Sequence, residues 1–199
     1  MYPRESLNLN PIAADGAMGL NALFWIPPTD SLIPRFEMFR DAASEAEGRE
    51  LALGERCGVL RDMFVTDTMK EAEELAGEHI IKYMEWVCHF GGLSNHAYPG
   101  EKIPETEDKL EMLNYDFLHP RNMLFGTPEF VAEKIHELKE KLNLDRLLLW
   151  SSFPGIDHGP ALNSIAGFTE KVLPLFSENP IQVAAERPHA AQTNGAPTQ

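Results

Sequence analysis

Two tryptophans and two serines stand at the ends of predicted strands, where side chains can reach a ligand. Trp25 follows the apolar sequence NALF, and Trp150, Ser151 and Ser152 follow RLLL. An indole can lie against a flat ring, and hydroxyl groups can donate hydrogen bonds to a phosphate. Because ligands bind at the carboxyl ends of parallel strands, these four side chains indicate a site for a ring or a phosphate. Packing of the two indoles inside the protein is the alternative.

Five further side chains have ligand-binding chemistry. Cys88, His89 and His96 offer thiolate and imidazole groups, but their spacing fits no compact zinc finger and a loop histidine is usually solvated. The sequence therefore predicts no metal site. His158 follows the last strand and either faces a ligand or is exposed at a helix start. Arg121 either binds an anion or pairs with one of the many carboxylates.

The composition excludes several classes of protein. The 199 residues include 31 Asp and Glu against 17 Lys and Arg, which gives a formal net charge of -14. Nucleic acids and anionic membranes attract clustered cations, so neither is an expected partner. Two cysteines are too few for a disulfide framework, and the first residues lack a secretion signal. No apolar segment approaches the ~20 residues that span a bilayer. These features predict a soluble cytoplasmic protein.

Strand-like and helix-like segments alternate along the chain, which is typical of a parallel α/β fold. Apolar segments at residues 19–28, 57–66 and 145–153 predict buried strands, and residues 8–14 are a weaker fourth candidate. Each of the four predicted helices has one apolar face with helical spacing. Those faces consist of Leu32, Phe36, Phe39 and Ala43; of Ala72, Leu75, Ala76, Ile80, Tyr83 and Val87; of Val131, Ile135, Leu138 and Leu142; and of Leu162, Ile165, Phe168, Val172 and Phe176.

Three helix boundaries are predicted from local signals. Gly48 ends the first predicted helix, Thr68 and Glu71 form a capping box, and Thr127 caps the helix that begins with Pro128. Periodicity is absent from residues 89–120, which predicts a long insertion. Residues 181–199 are interpreted as a flexible tail, so that residues 1–180 form the one domain.

The number of strand–helix units is small for a closed barrel. Three units and a fourth candidate strand amount to about half of a (β/α)8 barrel, which takes about 250 residues. The predicted fold is a partial (β/α)8 barrel of three to four strand–helix units with a long insertion. An open α/β sheet is the alternative, and its edges would need covering.

Two long segments resemble the luciferase-like flavin-dependent monooxygenases. Residues 121–176 read RNMLFGTPEFVAEKIHELKEKLNLDRLLLWSSFPGIDHGPALNSIAGFTEKVLPLF, and residues 61–84 read RDMFVTDTMKEAEELAGEHIIKYM. In that family a Gly-Thr/Ser-Pro-Glu helix start is followed by a leucine-rich strand, a short polar or aromatic loop and a closing helix with a Val-Leu-Pro sequence. The order of several segments, and not one short motif, carries the resemblance.

The resemblance implies a (β/α)8 barrel that binds reduced FMN, or the deazaflavin F420, at the carboxyl ends of its strands. The implied reaction is oxidation of an aldehyde, an alkane or a similar small molecule by dioxygen, with a flavin reductase as partner. Ala14, Asp15 and Gly16 resemble the phosphate-binding end of the fifth strand. Together with Trp25, Trp150, Ser151 and Ser152 they form the implied cofactor site.

The first four units of the family have no counterpart in the sequence, and with them the usual catalytic histidine or cysteine. The resemblance therefore assigns no catalytic residue. A different class of function stays open: a non-catalytic half-barrel that associates with itself or with another chain. Exposed sheet edges would favour such association, and a homo-oligomer is expected.

Overall fold

A computed structural model describes residues 11–103, 112–144 and 146–176. The strands are β1 (Ala22–Phe24), β2 (Cys57–Val65), β3 (Leu124–Gly126) and β4 (Leu147–Trp150). The helices are α1 (Pro11–Ala17), α2 (Thr29–Glu47), α3 (Met69–Ala72), α4 (Glu78–Gly91), α5 (Tyr115–Asn122), α6 (Pro128–Leu142) and α7 (His158–Gly167). Strands and helices alternate as the sequence predicts.

The sheet is parallel throughout and is organised around β2, which pairs with each of the other three strands. Strand β1 pairs with the first residues of β2, so that Leu23 lies beside Gly58. Strand β4 pairs further along, so that Trp150 lies beside Asp62. Strand β3 pairs with the last residues of β2. This parallel arrangement with its covering helices is consistent with the predicted partial barrel.

The two faces of the sheet have different neighbours because side chains alternate along a strand. On one face Val59 packs with the apolar residues of α2 and the end of α6, and Met63 packs with the middle of α6. On the other face Phe64 packs with α4. Leu23 and Leu148 keep 54% and 44% of their surface exposed. The second face is therefore only partly covered.

Helix α2 matches its prediction. Leu32, Phe36, Phe39 and Ala43 are buried, and they pack on β1 and β2. The helix ends before Gly48, whose φ of 65° places it in the left-handed region that favours glycine.

The predicted helix after β2 is interrupted by a π-helical turn. Thr68 Oγ1 accepts a hydrogen bond from the Glu71 backbone N–H at 3.1 Å, which confirms the N-cap. The π-helical turn at Glu73–Gly77 then joins α3 to α4. Leu75 lies within this turn and keeps 38% of its surface exposed, whereas Met84 on α4 is buried. The prediction that Leu75 is buried is therefore wrong.

Helix α6 begins and packs as predicted, whereas the face predicted for the last helix is buried only in part, at Val172. Thr127 Oγ1 accepts a hydrogen bond from Phe130 N, and Val131, Ile135, Leu138 and Leu142 are buried. In α7 the predicted core residues Leu162 and Ile165 are exposed. Ser164 faces inward instead, where its Oγ accepts a hydrogen bond of 2.8 Å from Val65 N at the end of β2.

The strand predictions need three corrections. Residues 11–17 form α1 and not a strand, while residues 8–10 lie outside the described residues. Strands β1 and β4 are three and four residues long, and each is partly exposed. Strand β3 was missed because its sequence LFG is too short to show a period. The predicted tail, residues 181–199, is outside the described residues, and the domain division stays a prediction.

Candidate functional site

Four aromatic side chains lie together beyond the carboxyl ends of β1 and β4. We refer to Trp25, Tyr83, Trp86 and Trp150 as the aromatic cluster. The Trp25 and Trp150 rings are nearly parallel, with centroids 6.1 Å apart and an interplanar angle of 10°. The Tyr83 ring lies 5.9 Å from Trp25 and 6.2 Å from Trp150. Trp86 stacks on Tyr83 at 6.2 Å. These separations are those of direct aromatic contacts.

Three elements position the aromatic cluster. Trp25 directly follows β1, and Trp150 is the last residue of β4. Tyr83 and Trp86 lie three residues apart on α4, so they share one side of that helix. Because α4 runs over the partly covered face of the sheet, its aromatic side chains meet those from the strand ends. The cluster is a product of the tertiary fold.

Ser151 and Ser152 directly follow the aromatic cluster. The Trp150 indole N–H donates a hydrogen bond to the carbonyl oxygen of Ser152, which fixes the ring against its own loop. Ser151 is half-buried and Ser152 is exposed. Both residues therefore follow β4 at the edge of the sheet, where the sequence places them.

A cleft of about 780 Å³ opens beside the aromatic cluster. A Cβ atom on Gly155 would lie 2.6 Å from His79 Nδ1, so only glycine permits this close approach of loop and helix. The φ of Gly155, 92°, also favours glycine. The size and the aromatic wall suit a flat ring with a polar substituent. The residues that line the cleft are His79, Lys82, Tyr83, Trp86, Pro154 and Gly155.

A buried carboxyl group lies under the aromatic cluster. Asp62 Oδ2 accepts a hydrogen bond of 3.0 Å from the Trp25 indole N–H, and Asp62 Oδ1 has no partner among the described residues. Burial raises the pKa of Asp62 to about 6, although the bond from Trp25 and the charge of Arg61 act in the opposite direction. Sequence reasoning missed this residue because it lies within an apolar strand.

The neighbouring Arg61 is also buried. Its guanidinium group donates hydrogen bonds to the carbonyl oxygens of Trp25 and Leu60, and to that of Pro27 at 2.8 Å. Burial lowers the pKa of Arg61 to about 10, so the side chain remains charged at neutral pH. These bonds tie the loop after β1 to β2 and thereby hold the backbone that carries Trp25.

Comparison with known proteins gives matches in structure and not in sequence. No protein-family model and no curated protein matches the chain. The structure is similar to the oxygenating constituent of 3,6-diketocamphane monooxygenase from Pseudomonas putida, a type II Baeyer-Villiger monooxygenase solved with FMN. The identity is 24% and the TM-score 0.64, over 85% of this chain and 46% of that chain.

Two other solved structures have the same relation to this chain. Monooxygenase RslO1 from Streptomyces bottropensis is 17% identical with a TM-score of 0.62, over 83% of this chain and 45% of that one. The coenzyme F420-dependent tetrahydromethanopterin reductase from Methanopyrus kandleri is 16% identical with a TM-score of 0.53, over 83% of this chain and 48% of that one. The chain thus spans about half the length of the structures that it matches.

The chain has the fold of about half of the barrel that these solved structures share. The structure brings Trp25, Trp150, Ser151 and Ser152 to one edge of the sheet, as the sequence predicts. Their role in cofactor binding stays a prediction.

Ala14, Asp15 and Gly16 lie apart from the aromatic cluster. They form the last turns of α1, and the Asp15 carbonyl oxygen accepts a hydrogen bond from Leu20 N just before β1. This is the amino end of the strand, whereas Trp25 follows its carboxyl end. The carboxyl end of a helix presents carbonyl oxygens, which repel a phosphate. The structure therefore does not favour the implied phosphate site at these residues.

A second buried polar group lies between α4 and α5. His96 Nε2 is 3.9 Å from Cys88 Sγ, and His96 Nδ1 is 3.4 Å from Asn122 Nδ2. Burial lowers the pKa of His96 to about 4, with further lowering by Arg121 and Arg61. His89 is exposed on α4. Among the described residues, no three His, Cys, Asp or Glu side chains converge as metal ligands would.

The two remaining candidates have ordinary surroundings. Arg121 forms a two-point ion pair with Glu101, with N–O distances of 2.7 and 2.9 Å, which confirms the carboxylate alternative. His158 is exposed at the start of α7.

No helix in the described residues is long and apolar enough to cross a membrane.

Proposed function

We propose that this chain belongs to a flavin-dependent monooxygenase of the luciferase-like kind. The cofactor is FMN, with F420 as the alternative, and the substrate is a small organic molecule such as an aldehyde or an alkane. One observation carries the proposal: the cleft beside the aromatic cluster lies at the carboxyl edge of a luciferase-like sheet. The likeness to a monooxygenase solved with FMN supports it.

The residues at the cleft fit a flavin. Tyr83 and Trp86 present aromatic surfaces to a flat ring, and Trp86 is largely exposed. Lys82 and His79 offer cationic and hydrogen-bonding groups to a phosphate, and Lys82 is held by Glu78 on the same helix face. Ser151 and Ser152 add hydroxyl groups near the same loop. This set of side chains differs from the implied site at residues 14–16.

A reduced flavin supplies the electrons with which dioxygen is activated, and the protein's residues bind and shield it. The aromatic cluster excludes water from one side of the cleft, which protects a reactive oxygenating site from hydrolysis. Because the chain spans about half of the structures that it matches, we propose that the remaining walls of the site come from further polypeptide. A flavin reductase delivers the reduced cofactor.

Flavin binding by the purified chain is the first test. We expect added FMN to show a perturbed absorbance spectrum and quenched fluorescence. Trp86→Ala, which removes an aromatic wall of the cleft, should weaken FMN binding by about tenfold, since aromatic stacking is worth about 1–3 kcal/mol. Leu20→Ala, which removes an exposed apolar side chain at the amino end of β1, is the matched control. The assignment is wrong if FMN does not bind, or if Leu20→Ala weakens binding as strongly.

Turnover is the second test. Oxygen consumption that depends on FMN, a reductase and an aldehyde would support an oxygenase. If flavin binds but no oxygen is consumed, even after other proteins of the source organism are added, the proposal would be limited to flavin binding.

A second candidate function is association without catalysis. It is favoured by the exposure of Leu23 and Leu148 on one sheet face, and by the position of β1 and β4, each of which pairs only with β2 among the described residues. Exposed edges and apolar faces recruit further chains. We propose that the same surface forms a homo-oligomer. Such a half-barrel would associate with itself and would bind no flavin.

A further inference from the structure

We propose that Asp62 is a positioning residue for the aromatic cluster, whose carboxylate holds the Trp25 indole and thereby sets the positions of Trp150 and Tyr83. The inference rests on the proposed function only where it concerns the flavin cleft. The positioning itself concerns the chain without a ligand.

The geometry gives Asp62 a central place. Its register partner on β4 is Trp150, and its side chain accepts the indole N–H of Trp25 from the loop after β1. The Trp25 ring in turn contacts both Trp150 and Tyr83. One carboxylate therefore links the ends of three neighbouring elements, β1, β2 and β4, with helix α4. A hydrogen bond to an ionised acceptor is roughly twice as strong as one to a neutral acceptor.

Charge makes this link sensitive to pH. The raised pKa of Asp62, about 6, is caused first by burial. The charged and titratable groups that act on Asp62 or respond to its charge are Arg61, the adjacent residue of β2, which stays charged, and Tyr83 on α4, whose own pKa is raised by burial and by the charge of Asp62. Trp25 and Trp150 contribute no titratable group. Among Asp62, Arg61 and Tyr83, only Asp62 is therefore expected to change its protonation state between pH 5 and pH 7.5.

Protonation has a defined structural effect. It removes the charge that strengthens the bond to Trp25, and it places a hydroxyl hydrogen on a carboxyl group of which one oxygen has no partner among the described residues. Trp25 is then held by a weaker bond and the cluster loses order. Asp62→Asn reproduces this neutral state at every pH while keeping an acceptor oxygen.

Tryptophan fluorescence of the chain without flavin is the test. The background variant Trp86→Phe leaves Trp25 and Trp150 as the emitting residues. We expect its emission to change between pH 5 and pH 7.5 with a midpoint near 6. Adding Asp62→Asn should abolish the change and give at pH 7.5 the spectrum that the background gives at pH 5. Adding Trp25→Phe instead should also abolish it.

Two results would overturn the proposal: no transition in the background variant, or an unaltered transition after Asp62→Asn. Far-ultraviolet circular dichroism establishes that each variant is folded. In a parallel titration, FMN should bind more weakly at pH 5 than at pH 7.5 to the native chain and equally at both to Asp62→Asn. A fluorescence transition without any FMN binding would support the positioning role and overturn the flavin assignment.

Discussion

At the scale of single residues, two buried titratable side chains have pKa values displaced in opposite directions. Asp62 rises from 3.8 to about 6, and His96 falls from 6.5 to about 4. Both displacements are caused first by burial, which disfavours the charged form of either group. At about 1.4 kcal/mol per pKa unit, each corresponds to about 3 kcal/mol of unfolding free energy. Both effects fall in the same pH range.

The signs of the two contributions are opposite. Between pH 4 and pH 6 the folded chain holds more protons at Asp62 than the unfolded chain does, so Asp62 makes the unfolding free energy fall as pH rises. At His96 the unfolded chain holds more protons than the folded chain between pH 4 and pH 6.5. His96 therefore makes the unfolding free energy rise as pH rises. We therefore expect the two slopes to offset each other in large part in the native protein.

In the Asp62→Asn variant, the pH dependence that His96 gives to the unfolding free energy should no longer be offset. We expect the unfolding free energy of this variant, relative to the native chain, to increase by about 1–3 kcal/mol from pH 4.5 to pH 6.5. Urea unfolding followed by circular dichroism measures it at each pH. Glu133→Gln, which removes an exposed carboxylate, is the control and should follow the native profile. Parallel profiles for Asp62→Asn and the native chain would contradict the prediction.

In the His96→Gln variant, the pH dependence that Asp62 gives to the unfolding free energy should no longer be offset. The variant loses packing at every pH, but the informative quantity is its pH dependence. Relative to the native chain, its unfolding free energy should fall by about 1–3 kcal/mol as pH rises from 4.5 to 6.5. The same urea experiment measures this change. A relative free energy that rises with pH would show that His96 is protonated in the folded state.

At the scale of secondary structure, the π-helical turn at Glu73–Gly77 changes which residues face the sheet just before α4. The spacing Ala72, Ala76, Ile80 survives the turn because those residues lie on its inner side, and all three are buried. Leu75 lies on the outer side. An ideal helical period cannot reveal such a turn, because its extra residue becomes visible only in the backbone hydrogen bonds.

The turn can be tested with two substitutions on the same helical segment. Met84→Ala should lower the unfolding free energy by about 2–5 kcal/mol, because it empties a fully buried site. Leu75→Ala should change it by less than about 1 kcal/mol, since Leu75 keeps 38% of its surface exposed. Urea unfolding at pH 7 compares them. Equal losses would mean that Leu75 packs as closely as Met84, and would contradict its outward placement in the turn.

Only part of the site can be predicted from the sequence. Trp25 and Trp150 were found because strand ends are recognisable in sequence and parallel strands end at one edge. Asp62 was not found, because the register that places it beside Trp150 cannot be inferred from an apolar strand. Tyr83 was assigned to a helix, but its contact with both indoles depends on where that helix crosses the sheet. Helix faces were thus predictable, whereas contacts between elements were not.

At the scale of the whole molecule, the partly covered sheet face distinguishes this chain from a closed barrel. On this face Leu148 of β4 lies beside Leu60 of the central strand, and Leu23 of β1 lies beside Gly58. Burial of such side chains stabilises an interface by about 25 cal/mol for each Å² of apolar surface removed from water. The face is therefore the surface on which we expect another copy to bind.

Charged substitutions on this face should prevent association. We expect the double variant Leu23→Glu and Leu148→Glu to be monomeric in size-exclusion chromatography with light scattering, at concentrations where the native chain is oligomeric. Leu162→Glu, on the exposed side of α7, should leave the native chain's mass unchanged. A monomeric native chain would exclude the association. An oligomer that persists in the double variant would mean that the chains associate through another surface.

The common direction of the four strands has a consequence for symmetry. Parallel strands keep their direction when a copy is rotated about an axis that runs along them, so β4 of one copy could lie beside β1 of the next without either strand being reversed. A two-fold axis of this kind repeats the contact on the opposite side and closes the ring. Both clefts would then open on the same rim, so that molecules entering either cleft would approach such a dimer from one side.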